Sequence, residues 1–139
     1  MGASFEEKSV WVRLSSLVVL LAFYFAIASK MLAAGVTEAL AMMPVFIVAV
    51  ILQLAVLVAG HVVAALTGRR EARDERDRLI SWRAEGSSSW LLAVGVLAAV
   101  TALAASWSSA LVAHVLIVSL IAHDILKCTL QVAYYRRGL

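Results

Sequence analysis

Long apolar runs, broken by short polar interruptions, organise this chain. No charged residue occurs from Leu14 to Ser29, a run bounded by Arg13 and Lys30. A second uncharged stretch extends from Ala39 to Gly68, with the chain's only proline, Pro44, near its start. Between Glu85 and Arg136 lie fifty residues of which only Asp124 and Lys127 are charged. A helix needs roughly 20 apolar residues to cross the hydrocarbon of a bilayer. As one helix the last stretch would measure about 75 Å at 1.5 Å per residue, more than twice that thickness, so it must fold back. The reversal best fits the small and polar Ala105-Ser106-Trp107-Ser108-Ser109. The pattern therefore predicts an all-α, integral membrane four-helix bundle forming one domain. Its spans cover about 12–30, 44–66, 89–105 and 109–134, with a connecting loop over 67–88.

Local signals agree with these limits. Proline is tolerated in a first helical turn, which places Pro44 at the start of span two, and Thr67-Gly68 suits its end. Ser87-Ser88-Ser89 offers N-caps for span three, while Trp11, Trp90, Tyr134 and Tyr135 suit a membrane interface. Gly95, Ala98, Ala99, Ala102 and Ala105 let another helix approach span three closely, and packing within the bundle is the simpler reading. A homo-oligomer stays open.

Composition turns the pattern into a statement about solvent. Hydrophobic residues make up 63% of the 139, charged residues 15%, and the mean hydropathy is +0.95. A water-soluble domain this small cannot bury so much apolar surface. The formal charge of +3 matters less than its placement. Arg69, Arg70, Arg73, Arg76, Arg78 and Arg83 lie between spans two and three, Arg136 and Arg137 in the tail, and Lys8 and Arg13 before span one. The two opposite connections carry Lys30 alone. The positive-inside rule then puts both termini and the loop in the cytoplasm, N-in/C-in. Lys8, Arg13 and Ala26-Ile27-Ala28 have the outline of a cleavable signal peptide, but the first run is expected to remain as a span. Gly2 is followed by Glu6 where a myristoylation pattern needs Ser or Thr. A lone cysteine, Cys128, excludes an intramolecular disulfide.

The loop residues Arg69, Arg70, Arg73, Asp74, Glu75, Arg76, Asp77 and Arg78 are dense in charge and nearly balanced in sign. Helix is permitted up to Gly86, although the i,i+4 pairs are mixed, with Arg69–Arg73 and Glu71–Glu75 opposing and Arg70–Asp74 and Arg73–Asp77 favouring. Leu79, Ile80 and Trp82 are expected against the bundle or the headgroups. Such a segment serves as a topology-setting loop that attracts anionic lipid, or as a docking surface for a cytoplasmic protein. Direct nucleic-acid binding is not expected, because the acidic residues cancel the field a phosphate backbone requires.

The run Asp74-Glu75-Arg76-Asp77, then Arg83-Ala84 and the serine-rich entry to span three, resembles an uncharacterised group of small prokaryotic four-span membrane proteins. The ending Tyr134-Tyr135-Arg136-Arg137-Gly138 is similar to that group's tail. The resemblance covers about the second half of the chain and supplies no catalytic residues. It implies the prokaryotic cytoplasmic (inner) membrane, and a membrane-bound modulator or sensor acting on a helix-turn-helix regulator.

Span four carries His123, Asp124, Lys127, Cys128 and Gln131 within an arc of about 140° at 100° per residue. An ionised carboxylate in hydrocarbon is costly, so Asp124 is expected to face the interior with a partner. Lys127, three residues on, is placed for an ion pair along that face, and Gln53 and His61 on span two are candidate cross-helix partners. The cluster reads as a clasp fixing helix register, as a proton- or cation-binding centre of a small transporter, or, through His61 and His123, as a haem site. No cofactor and no metal are the expectation. No hydrolase elbow, phosphate-binding glycine loop, zinc-protease helix or dinucleotide fingerprint occurs, so no catalytic residue is assigned and an enzyme is not expected.

Overall fold

The computed structural model describes residues 5–67 and 75–137, with side chains given for all of these except residues 5, 6, 8, 61 and 63–67. Four helices account for almost all of it: α1 (Phe5–Ala33), α2 (Ala39–Thr67), α3 (Glu75–Ala104) and α4 (Ser109–Arg137). No strand occurs among the described residues. Each helix is long and apolar enough to cross a membrane, which is the build of a multi-pass membrane protein. The surface agrees, since Val19, Leu40, Ile51, Val58, Leu97 and Leu103 all point outward. Hydrocarbon tolerates such a surface, whereas water would not.

The helix ends follow from local chemistry. α1 stops at Gly35, whose positive φ closes the helix while the Gly35 and Val36 amides bond back to Leu32 and Met31. α3 stops in the same way at Ser106, also left-handed, with the Trp107 amide donating to Ala102. The reversal expected over Ala105–Ser109 is thus where the chain turns. These two turns, here called the outer end, are stitched together. The Ala39 amide donates to Ser109 Oγ at 3.0 Å, and the Ala110 amide to the Thr37 carbonyl at 3.0 Å.

Three helix starts differ from the sequence reading; the first is α1, which begins at Phe5 ahead of the expected residue 12. α2 begins at Ala39, so Pro44 lies in its second turn instead of opening the helix. The borrowed cap from Ser109 explains how the helix starts ahead of its proline, at the loss of one amide donor. α3 begins at Glu75, so the residues from Glu75 to Ser88, expected within a loop, are helical and continuous with the span. The mixed charge pairs did not decide this. The segment has a buried edge, Ile80, Ala84 and Ser88, that only a helix aligns on one side.

α4 is the central element and packs on each of the other three; α3 packs chiefly on α4, and α1 bridges α2 and α4. The contact edge of α3 runs Ile80, Ala84, Ser88, Gly95, Ala99 and Ala102, mostly small residues. A methyl group on Gly95 would overlap the Cβ and Oγ of Ser119, so the two backbones cross too closely for any larger residue. Three of the small residues expected to pack internally, Gly95, Ala99 and Ala102, do so; Ala98 and Ala105 face outward. Near the outer end a second cluster gathers Tyr24, Ala28, Met42 and Ala110 from three helices.

Candidate functional site

The polar face of α4 divides between two neighbours. Towards α3 it presents His123, Lys127, Gln131 and Tyr135, one at every fourth position. α3 answers with Asp77, Ser81 and Glu85 at the same spacing, running the opposite way. The Tyr135 hydroxyl donates to Asp77 Oδ1 at 2.9 Å, and Gln131 Nε2 donates to Ser81 Oγ at 3.3 Å. Lys127 Nζ pairs with Glu85 Oε2, and His123 Nε2 lies 3.4 Å from Glu85 Oε1. Residues four apart on a helix are about 6 Å apart along its axis and on nearly one face. Two antiparallel series of that period therefore form a ladder in a single register.

Asp124 looks the other way. Its Oδ1 lies 3.3 Å from an Arg13 guanidinium nitrogen on α1. This corrects two expectations. Lys127 is engaged across the helix interface by Glu85, not along its own helix by Asp124. Gln53 donates to Ser16 Oγ at 3.1 Å instead of bonding to Asp124, although the two side chains share the wall of one cavity. Spacing along one helix fixes depth and face, but the partner depends on which neighbour packs there. The His61 side chain and all of Arg69, Arg70, Arg73 and Asp74 lie outside the described residues. Of the remaining loop and tail residues, Arg76, Arg78, Arg136 and Arg137 are exposed, and Arg136 stacks its guanidinium 5.4 Å from the Trp11 ring centre.

Burial grades the ladder. Gln131 and His123 are buried, and the Lys127 side chain is 17% exposed, whereas Glu85 is half-exposed. His123 Nδ1 is buried without a hydrogen-bond partner. Counted from the outer ends of their helices, Arg13, Glu85, His123, Asp124 and Lys127 lie roughly 20 to 30 Å deep at 1.5 Å per residue. Against about 30 Å of hydrocarbon measured from those ends, Arg13, Glu85 and Lys127 fall near the inner edge, towards the arginine-rich end, and His123 and Asp124 about 8 Å short of it. Formal charges cancel in two pairs, Arg13 with Asp124 and Lys127 with Glu85. Such a layer joins α1 and α3 to α4 without leaving an unpaired charge in lipid.

A separate polar contact lies near the outer end. His114 is buried, its Nδ1 lies 2.9 Å from the Ala110 carbonyl and its Nε2 3.4 Å from the Tyr24 hydroxyl. The geometry fits an Nδ1–H tautomer that donates to the carbonyl and accepts from Tyr24. Among the described residues no group of three or more His, Cys, Asp or Glu side chains converges as a metal site.

Sequence reading singled out the α4 residues but missed Arg13, Ser81 and Glu85 as their partners. The matching four-residue series, 77-81-85 and 123-127-131-135, was the available signal. The α3 half of that series lies in a charge-dense segment whose helical edge is sparse, which hides the match. Comparison with protein-family models, curated proteins and solved structures gave no match to any of the three. The four-span build agrees with the resemblance drawn from the sequence; the family itself, with its loop and tail motifs, receives no support from these comparisons.

Proposed function

We propose that this is a non-enzymatic, cofactor-free protein of the prokaryotic inner membrane that modulates or senses through a cytoplasmic partner. The docking surface is the inner part of α3 together with the end of α4. One observation carries the reading: α3 continues as a helix for about three turns inward of Glu85, held on α4 by the Asp77, Ser81 and Glu85 contacts. Crossing the bilayer does not require that extension. Its outward side carries Leu79, Arg78, Arg83 and Trp82, and the last is 78% exposed. Tryptophan and arginine on a rigid support are the residue types that anchor protein interfaces, and a pre-formed helix spares the partner the cost of ordering a loop. The resemblance to small prokaryotic proteins implies a transcriptional regulator as that partner, and the placement of Lys and Arg supports both termini and this surface facing the cytoplasm.

The test is affinity purification from native membranes in mild detergent, comparing wild type with Trp82→Ala combined with Arg78→Glu and Arg83→Glu. A soluble protein recovered with wild type and lost with the variant is the expected result. Recovery of the same proteins by both would remove the docking surface from consideration. Vesicles with and without anionic lipid give the second arm. If the substitutions alter only binding to anionic lipid, the extension is a headgroup contact and the protein-docking reading fails.

A further inference from the structure

Between α1, α2 and α4 lies a cavity of about 170 Å³. Leu17, Phe46, Ala49 and Ile121 stand among its apolar walls, and Gln53 and Asp124 are its polar residues on the side away from the outer turns. α2 touches α4 over a short stretch only, which leaves room beside Asp124. An engineered apolar cavity of about 150 Å³ holds one benzene ring, so this one has room for a body of that size. Among the described residues of the wall, Asp124 contributes the only carboxylate.

The charge chemistry selects the head of the ligand. Asp124 has one oxygen turned to Arg13 at the long distance of 3.3 Å, with side-chain exposures of 40% for Arg13 and 29% for Asp124. The two are unequal in what happens on separation. Arg13 stands near the inner edge of the hydrocarbon on a long stem and can extend to water or lipid phosphate. Asp124 is short, faces the cavity and cannot follow. An incoming cation can therefore replace Arg13, whereas an incoming anion at Arg13 would strand Asp124 beside lipid. Lys127 stays neutralised by Glu85 on the α3 side and does not compete.

We infer that the cavity binds a small lipophilic organic cation, its ammonium group paired with Asp124 and its apolar body, about one aromatic ring in size, among the side chains of α1, α2 and α4. Gln53 lies within the same wall and orients the head by hydrogen bonding. The site is independent of the docking surface on α3, so either proposal can fail without the other.

The experiment is equilibrium binding of 2-phenylethylammonium to the full chain in detergent micelles, corrected for partition into empty micelles. The neutral isostere 2-phenylethanol is run alongside. Wild type binds the cation saturably and at least about tenfold more tightly than the alcohol, since the ion pair is the difference between them. Asp124→Asn removes that preference. Ala49→Phe fills the cavity and abolishes binding of both. Arg13→Gln tightens binding of the cation by removing its competitor, a change of sign that a purely structural role for the pair does not produce. Trp82→Ala leaves the affinity unchanged. Equal affinity for alcohol and ammonium, a preference that survives Asp124→Asn, weaker binding in Arg13→Gln, or no saturable binding by wild type with its helical circular dichroism intact would each overturn the assignment.

Discussion

The two helical hairpins of this protein hold together by different means. In the α3–α4 hairpin 22% and 28% of the most apolar stretches are buried, against 11% in each of α1 and α2. α3 and α4 are joined by a small-residue crossing at Gly95 and Ser119 and by the polar ladder from Asp77 to Lys127. α1 and α2 meet more loosely, with a cavity left where α2 leans away from α4. In lipid, apolar contact alone gives helices little reason to associate, because the tails are as apolar as the side chains. Close backbone approach and satisfied polar pairs must supply it. The second hairpin has both and forms the firm half of the molecule. The first has the room a ligand needs.

One pair of glycines breaks this comparison most sharply. Alanine is favoured over glycine in a helix by about 1 kcal/mol, so both Gly60→Ala and Gly95→Ala start with the same gain. At Gly60 the added methyl would meet Val12 Cγ1 at 3.4 Å, an ordinary contact. At Gly95 it collides with Ser119. Gly60→Ala should leave thermal unfolding in micelles unchanged or slightly raised, and Gly95→Ala should cost roughly 1–3 kcal/mol net by overpacking. Adding Ser119→Gly should recover much of that loss. Equal effects at the two glycines would mean that the hairpins are alike.

The charge layer gives a smaller and asymmetric effect. Glu85→Ala leaves the Lys127 ammonium, which is largely buried, without its carboxylate. Lys127→Ala leaves Glu85, half-exposed and still beside His123. Breaking a buried pair costs most where the remaining charge cannot reach water. Glu85→Ala should therefore destabilise by about 1–2 kcal/mol, and Lys127→Ala by less, as read from urea or thermal unfolding of the two variants side by side. The reverse order would show that Glu85, not Lys127, is the group needing its partner.

How much of this was legible follows from what each feature depends on. The four helices and the Ala105–Ser109 reversal follow from runs of apolar residues and from small polar residues at a turn, all local in sequence. The inner turns of α3 are not legible as helix, because charge density masks an edge as sparse as Ile80, Ala84 and Ser88. The Asp124 partner was not legible either. Arg13 lies 111 positions away, and only the packing of α1 on α4 brings it there. His123 and Lys127 both reach Glu85 on α3 while Asp124 reaches Arg13 on α1, a division of the polar face that no count along α4 reveals. The ladder is readable in principle, since two polar series of period four, Asp77-Ser81-Glu85 and His123-Lys127-Gln131-Tyr135, lie in the same chain.

The smallest effect tests whether the ladder extends the firm hairpin inward to Asp77. Tyr135→Phe removes the hydroxyl that donates to Asp77 Oδ1 while keeping the ring. A hydrogen bond to a charged acceptor contributes on the order of 1 kcal/mol or more, less where water can replace it. Asp77 and Tyr135 are partly exposed, so global unfolding should shift by no more than about 0.5–1 kcal/mol. The local change should be larger in proportion, because the bond sits in the first turn of α3, at the end of the helix. Amide exchange from Glu75 to about Ile80 should accelerate severalfold, while the amides around Gly95 and Ser119 stay protected. If exchange rises evenly along α3, the helix opens as one unit and the inner turns are not a separately clasped extension. If only the first turns loosen, the hydroxyl is what holds the proposed docking surface rigid, and partner capture should weaken in the same variant.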